Sequence, residues 1–324
     1  MVAPAGRAGW PTGWPAPASA PVQAKAPAST PVTATAPVSA SVIASVTAPA
    51  AADARIGRAA IRALYREVAL DPKPGLVTPA SRGSHRDMDF ATFVRSLQAL
   101  RGYFPAIAAA GSARSEFAVL QALGIAAERD MLAATAGVNT HRGAIFNLGL
   151  LCAAAGTLQA AGQALTPEAL CSTVADCWGA AILAVLPPAA EPASHGLVVA
   201  RRYGAGGARR EAAAGFPAAR EIGLPAYRAT LAATGDAGLA EVQALFALIA
   251  GLEDTNLLWR GGPVGLAEAR ALAAGFLDAG GVLADDWRQR ATEIDRIFVA
   301  RRLSPGGSAD LLGVTLFLAG FAEA

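Results

Sequence analysis

The amino-acid sequence predicts an all-α protein, a single multi-helix domain whose glycine-rich connecting loops form the site, preceded by a disordered N-terminal extension. Three observations lead there. Apolar residues recur at helical spacing from Arg55 onward, no stretch shows sustained alternation of β-branched residues, and before Arg55 prolines come every few residues. With 53% hydrophobic and 16% charged residues in a chain of 324, there is ample material for a large buried core.

Residues 1–52 repeat Ala, Pro, Ser, Thr and Val without one acidic residue, so they bury little and read as the disordered segment. The helical domain spans 53–324. Its first helix carries Ile56, Ala60, Ile61, Leu64 and Val68 and stops at Pro72 and Pro74. Phe90, Phe93, Val94, Leu97, Leu100 and Phe104 form a second stripe, opened by Asp89 as N-cap. Further helices are expected at 115–135, 140–161, 166–186, 238–260, 266–278, 285–301 and 308–323. Thr166 followed by Pro167 marks a cap and a first-turn proline.

Composition excludes several functions. A net charge of +2 supports neither a general nucleic-acid surface nor a membrane surface, so any electropositive site is local. Cys152, Cys171 and Cys177 have no C-x-x-C spacing and suit a reducing cytoplasm. No secretory signal is legible at the N-terminus, and no uninterrupted apolar run reaches the roughly 18 residues of a membrane span.

Polar and glycine residues concentrate in five connections, which hold every histidine of the chain. In "DPKPGLVTPASRGSHRDMD" Lys73 stands between prolines, and Arg82 and His85 precede Asp87 and Asp89. Cations for phosphate and carboxylates for a divalent ion thus share one connection, although a solvated loop would also use them. "GVNTHRG" crowds Asn139, His141 and Arg142 at a helix start, where unpaired N–H groups suit an anion, and Gly143 is expected to keep that turn open. A structural histidine is the plainer alternative. "YGAGGARREAAAGFP" places Gly206 and Gly207 before Arg209 and Glu211, a pattern for anion approach or for a flexible turn. Its spacing is not that of a dinucleotide-binding loop. "EDTNLLWRGG" is expected to close a helix, with Asp254 beside a face bearing Asn256 and Arg260. In "SPGGSADLL", Gly306 and Gly307 offer N–H groups and Ser308 caps the last helix, while Asp310 reads as compensation of the helix dipole.

These motifs, together with "PKPGLV" and "GSHRDMD", resemble in order and spacing the triphosphoribosyl-dephospho-CoA synthases, from about Arg55 to the C-terminus. The resemblance implies a mainly helical fold and a transferase that converts ATP and 3'-dephospho-CoA into 2'-(5''-triphosphoribosyl)-3'-dephospho-CoA and adenine. The product would pass to a transferase that modifies an acyl carrier protein. "MDFATFVRSLQALRGYF" and "VARRLSPGGSADLL" look more like the malonate decarboxylase branch than the citrate lyase branch. Trp259 departs from the histidine expected there, and the extension lies outside the family pattern.

The chemistry implied needs a carboxylate near the developing sugar cation and an acid for adenine. Asp87, Asp89 and Asp254 are the candidates for Mg²⁺ or cation stabilisation, and His85 or His141 for acid and base. Lys73, Arg82, Asn139, Arg142, Gly206, Gly207, Arg209, Glu211, Asn256, Arg260, Gly306, Gly307 and Ser308 are the substrate-binding candidates. A hydrolytic N-glycosidase and a non-catalytic carrier-protein partner are the competing classes.

Overall fold

The computed structural model describes residues 49–184 and 195–321, all of them in one of the two compact units of the chain, Val38–Ala324. Among these residues there are thirteen α-helices and no strand. In chain order they are α1 (Ala51–Ala69), α2 (Phe90–Ala99), α3 (Tyr103–Ser112), α4 (Phe117–Ala134), α5 (Arg142–Ala160), α6 (Pro167–Ala184) and α7 (His195–Tyr203). There follow α8 (Gly207–Ala213), α9 (Leu224–Thr234), α10 (Ala237–Gly251), α11 (Thr255–Asp278), α12 (Trp287–Arg301) and α13 (Gly306–Ala319).

Two helices, α5 and α13, run through the centre and are buried around most of their circumference. Their sequences are apolar on all sides, as a fully buried helix requires. α5 is the one helix among the described residues long and apolar enough to cross a membrane, and 72% of that window is buried inside the fold, which accounts for its apolarity. α1 lays Ile56, Ala60, Leu64 and Val68 against α3 and α13. α3 packs along α5 with backbones nearly touching: a Cβ on Gly111 would lie 1.9 Å from the Ala153 carbonyl oxygen, and one on Gly156 2.0 Å from that of Ala108.

Several boundaries differ from the sequence pattern. α1 opens at Ala51, inside the segment read as extension, because the Asp53 carboxylate accepts the Ala50 N–H at 2.9 Å and the Ser112 hydroxyl at 3.1 Å. The remainder of that extension, 1–48, lies outside the described residues. The stripe 90–104 is two helices separated by a turn at Leu100–Gly102. The expected helix 238–260 is broken after Gly251, and Asp254 starts α11 instead of closing α10. α11 then kinks at Gly262, whose φ of 62° and ψ of −166° are outside the helical region. The 194–217 connection contains α7 and α8, and α9 follows a single π turn, Ala219–Gly223.

Candidate active site

A cavity of about 1560 Å³ opens where the N-terminal ends of α5, α8, α11 and α13 meet. Small-molecule pockets typically measure about 300–1,000 Å³, so this one has room for more than one nucleotide-sized ligand. Each helix start directs orphan N–H groups and a partial positive charge toward the space. Some of these donors are used: Asn256 and Leu257 N–H donate to Asp254 Oδ1, Ser308 N–H to Asp254 Oδ2, and Arg142 N–H to Asn139 Oδ1. Gly143, Thr255, Gly306 and Gly307 keep N–H groups with no acceptor among the described residues.

One wall is a buried polar cluster. Lys73 is 2% exposed and donates from Nζ to both the Glu67 carboxylate and the Glu67 carbonyl at 2.7 Å. The cation expected to take phosphate is therefore engaged in an internal ion pair. Asp310 faces the start of α5, accepts the Ala144 N–H, and fits only because residue 143 is glycine: a Cβ there would stand 1.9 Å from Asp310 Oδ2. Burial first, then the nearby Glu67 and Asp254 carboxylates, hold the Asp310 carboxyl well above the usual range. His141 Nδ1 meets Ser96 Oγ at 2.7 Å, and its ring stands edge-on to Phe93. Burial and the Lys73 charge push the His141 pKa down to about 3, so the ring is neutral. Its Nε2, together with Thr140 Oγ1 and Asn147 Oδ1, is buried without a hydrogen-bond partner in the protein. Buried polar atoms are rarely left so, and three orphans within eight residues of one cavity wall mark where a polar ligand goes.

The rim is tied by Arg260. Its guanidinium donates to the Ser84 and Arg302 carbonyls at 3.2 and 3.3 Å and to His85 Nδ1 at 3.2 Å. A guanidinium only donates, so His85 Nδ1 accepts, and the ring hydrogen is on Nε2, which donates to Ser304 Oγ at 2.9 Å. Burial and Arg260 lower the His85 pKa to about 4, against the opposing pull of Asp87 3.9 Å away.

Of the residues singled out in the sequence, Lys73, His85, Asn139, His141, Arg142, Gly206, Gly207, Arg209, Glu211, Asn256, Arg260, Gly306 and Gly307 line this cavity. Arg82, Asp87, Asp89, Asp254 and Ser308 do not. The expected trio of metal-binding carboxylates is not gathered: among the described residues no three His, Cys, Asp or Glu side chains are placed to hold a metal ion. Asp87 is exposed. Asp89 caps α2 through Thr92 N–H and pairs with Arg82 at 2.9 Å, an exposed ion pair facing solvent. Asp254 is fully buried, and its four hydrogen bonds, two of them from the Ser308 N–H and hydroxyl, occupy both oxygens. It ties two helix starts together. Ser308 is consequently no cap; it sits inside α13, behind Pro305.

Three further expectations shift. Arg209 donates to the Ile182 carbonyl in the last turn of α6, leaving the exposed Arg210 as the arginine of α8 that faces the cavity without an ion pair among the described residues. Glu211 accepts the Ala218 N–H at 2.6 Å, bracing the π turn. Gly143, rather than opening a turn to ligand, admits Asp310. Glu67 and Asp310 are the site residues that motif reading missed. Glu67 gave a signal, a carboxylate three residues beyond Leu64 on the apolar stripe of α1, whereas Asp310 gave none beyond its place in a first turn.

Comparison with known proteins places the chain. The family model described as ATP:dephospho-CoA triphosphoribosyl transferase matches residues 53–324. The chain belongs to this family. As a member it is a transferase. It is 45% identical over 264 residues to the probable 2-(5''-triphosphoribosyl)-3'-dephosphocoenzyme-A synthase of Acinetobacter calcoaceticus, covering 82% of this chain and 90% of that protein. With the 2-(5''-triphosphoribosyl)-3'-dephosphocoenzyme-A synthase of Klebsiella pneumoniae it shares 43% identity over 270 residues, 81% and 89% of the two chains. No solved structure matches it.

Proposed function

We propose that ATP and 3'-dephospho-CoA meet in the cavity and that the chain transfers the triphosphoribosyl group between them, releasing adenine, as the names of its relatives describe. The observation that carries this is the convergence of helix N-termini on one cavity larger than a single nucleotide needs. The triphosphate is retained in the product, so the protein has only to hold and orient it. Unused N–H groups of Thr255, Gly306 and Gly307, with Arg210 and Arg142 at the rim, suit that task. Mg²⁺ enters with ATP as part of the substrate, keeping most of its ligands from water and phosphate. The 2'-oxygen of dephospho-CoA attacks C1' of the ATP ribose as the bond to adenine breaks. Glu67 and Lys73 neutralise each other on that wall, so this ion pair shapes the cavity without adding net charge to it.

The product then serves as the precursor of an acyl-carrier prosthetic group, and the motif resemblance favours malonate decarboxylase over citrate lyase as its destination. Free thiols at Cys152, Cys171 and Cys177 fit a cytoplasmic enzyme. The test is chromatography of the full chain incubated with MgATP and 3'-dephospho-CoA. Adenine together with the coupled nucleotide supports the proposal; adenine with free triphosphoribose makes the chain a hydrolase; neither product refutes both. Supplying the product and the downstream transferase to isolated malonate decarboxylase or citrate lyase carrier subunits then tests the pathway.

A further inference from the structure

The synthase chemistry leaves one demand unassigned, the proton that adenine takes as it departs. The histidines are poor sources, because His85 with a pKa of about 4 and His141 of about 3 are neutral at physiological pH, and the His85 ring hydrogen is already donated to Ser304. Of the other cavity carboxylates, Glu67 is committed to Lys73, Glu128 to Arg142, Glu211 to the Ala218 N–H and Glu221 to Arg220, while Glu253 is exposed to solvent. Asp310 has no cationic partner among the described residues. It faces Glu67 from α1, Asp254 from the start of α11 and the Gly143–Ala144 turn of α5, with Lys73 and His141 behind the same wall. Two carboxylates beside a third that is half-buried in the cavity wall favour its acid form, a known way to keep a carboxylic acid neutral at working pH. Within a turn of Gly143 stand the orphaned Thr140 Oγ1, His141 Nε2 and Asn147 Oδ1. Asn147 Oδ1 can only accept, and adenine offers its 6-amino group as donor.

We infer that Asp310 is the catalytic acid that protonates adenine as the glycosidic bond breaks, with the base seated against Thr140, His141 and Asn147. This rests on the synthase function proposed above. The 2'-oxygen forms its bond to C1', the C1'–N9 bond breaks with its electron pair passing into the purine, and the Asp310 proton moves to a ring nitrogen. The proton shed by the 2'-hydroxyl restores the acid, so the cycle neither consumes nor releases one.

The experiment compares Asp310→Asn with the wild type on two donors, ATP and the 5'-triphosphate of p-nitrophenyl riboside, whose nitrophenolate leaves without protonation. Expected is a loss of about 100- to 10,000-fold in kcat for adenine release, with nitrophenolate release within about threefold of wild type. The ratio of the two rates on one preparation is independent of how much of the variant folds. The wild-type kcat with ATP also falls on the alkaline side as Asp310 ionises, and the variant lacks that limb. Equal losses with both donors, or unchanged adenine release, overturn the assignment alone. A wild type that releases no adenine overturns the synthase function and the assignment with it.

Discussion

Replacing Asp254 with asparagine keeps shape and removes charge, and the structure indicates what that costs. The Oδ1 of Asn can still accept from Asn256 and Leu257, but its NH₂ group faces the Ser308 N–H that Oδ2 now receives at 2.7 Å. The serine hydroxyl, at 2.9 Å, can turn and accept; the backbone N–H cannot. One buried donor is stranded at about 1–3 kcal/mol, and two remaining bonds lose charge assistance worth roughly 1 kcal/mol each. Burial raises the Asp254 pKa despite its hydrogen bonds, so removing the charge returns part of this. The expected net loss is about 2–4 kcal/mol, which at roughly 2–4 °C per kcal/mol lowers Tm by about 4–16 °C. Because the tie positions Asn256 and Gly306 on the cavity, KM for ATP should rise in the fraction that folds. Urea unfolding gives the first quantity and steady-state kinetics the second. A variant with the wild-type midpoint and slope would refute the view of Asp254 as the joint between α11 and α13.

Arg142→Ala removes an exposed pair with Glu128, so the unliganded stability should stay within about 0.5 kcal/mol of wild type while the ATP-induced Tm shift shrinks; an unchanged ligand shift rules out phosphate contact. A chain starting at residue 49 should melt like the full protein, whereas one starting at residue 55 loses Asp53 and its bond to Ser112 and should be destabilised by about 1–2 kcal/mol; equal melting of the two refutes the role given to Asp53. His85 and His141 have folded pKa values below the unfolded 6.5, so the stability they contribute is present above 6.5 and lost as pH falls toward 4 and 3. His85→Gln should flatten that decline between pH 6.5 and 4, and an unchanged slope of stability against pH excludes His85 as its source.

The helical class was legible because long amphipathic stretches such as Ile56 to Val68 repeat their period over several turns, and Thr166–Pro167 marked the start of α6 to the residue. α3 escaped because "PAIAAAGS" is small and apolar with no contrasting face to set a period. The break before α11 escaped because Asp254 within an otherwise helical run looks the same whether it ends one helix or starts the next. The glycine-rich motifs come together in one region, since Lys73, His141, Arg260 and Gly306 line the same cavity. What each does there was hidden, because Lys73 finds Glu67, Gly143 finds Asp310 and Asp254 finds Ser308 only through the chain's long-range packing.

The near-contact of α3 and α5 at Gly111 and Gly156 sets how this enzyme can yield when substrates enter. With no side chain between the two backbones, neither helix can slide or tilt without driving a carbonyl into its neighbour. The turn carrying His141 and Asn147 is thus anchored to the most constrained pair in the fold. Amides of α5 near Ala153 should be among the last to exchange with deuterated solvent, and should do so at the same rate with or without nucleotide, so that any closure around the ligands must come from the helices on the other side.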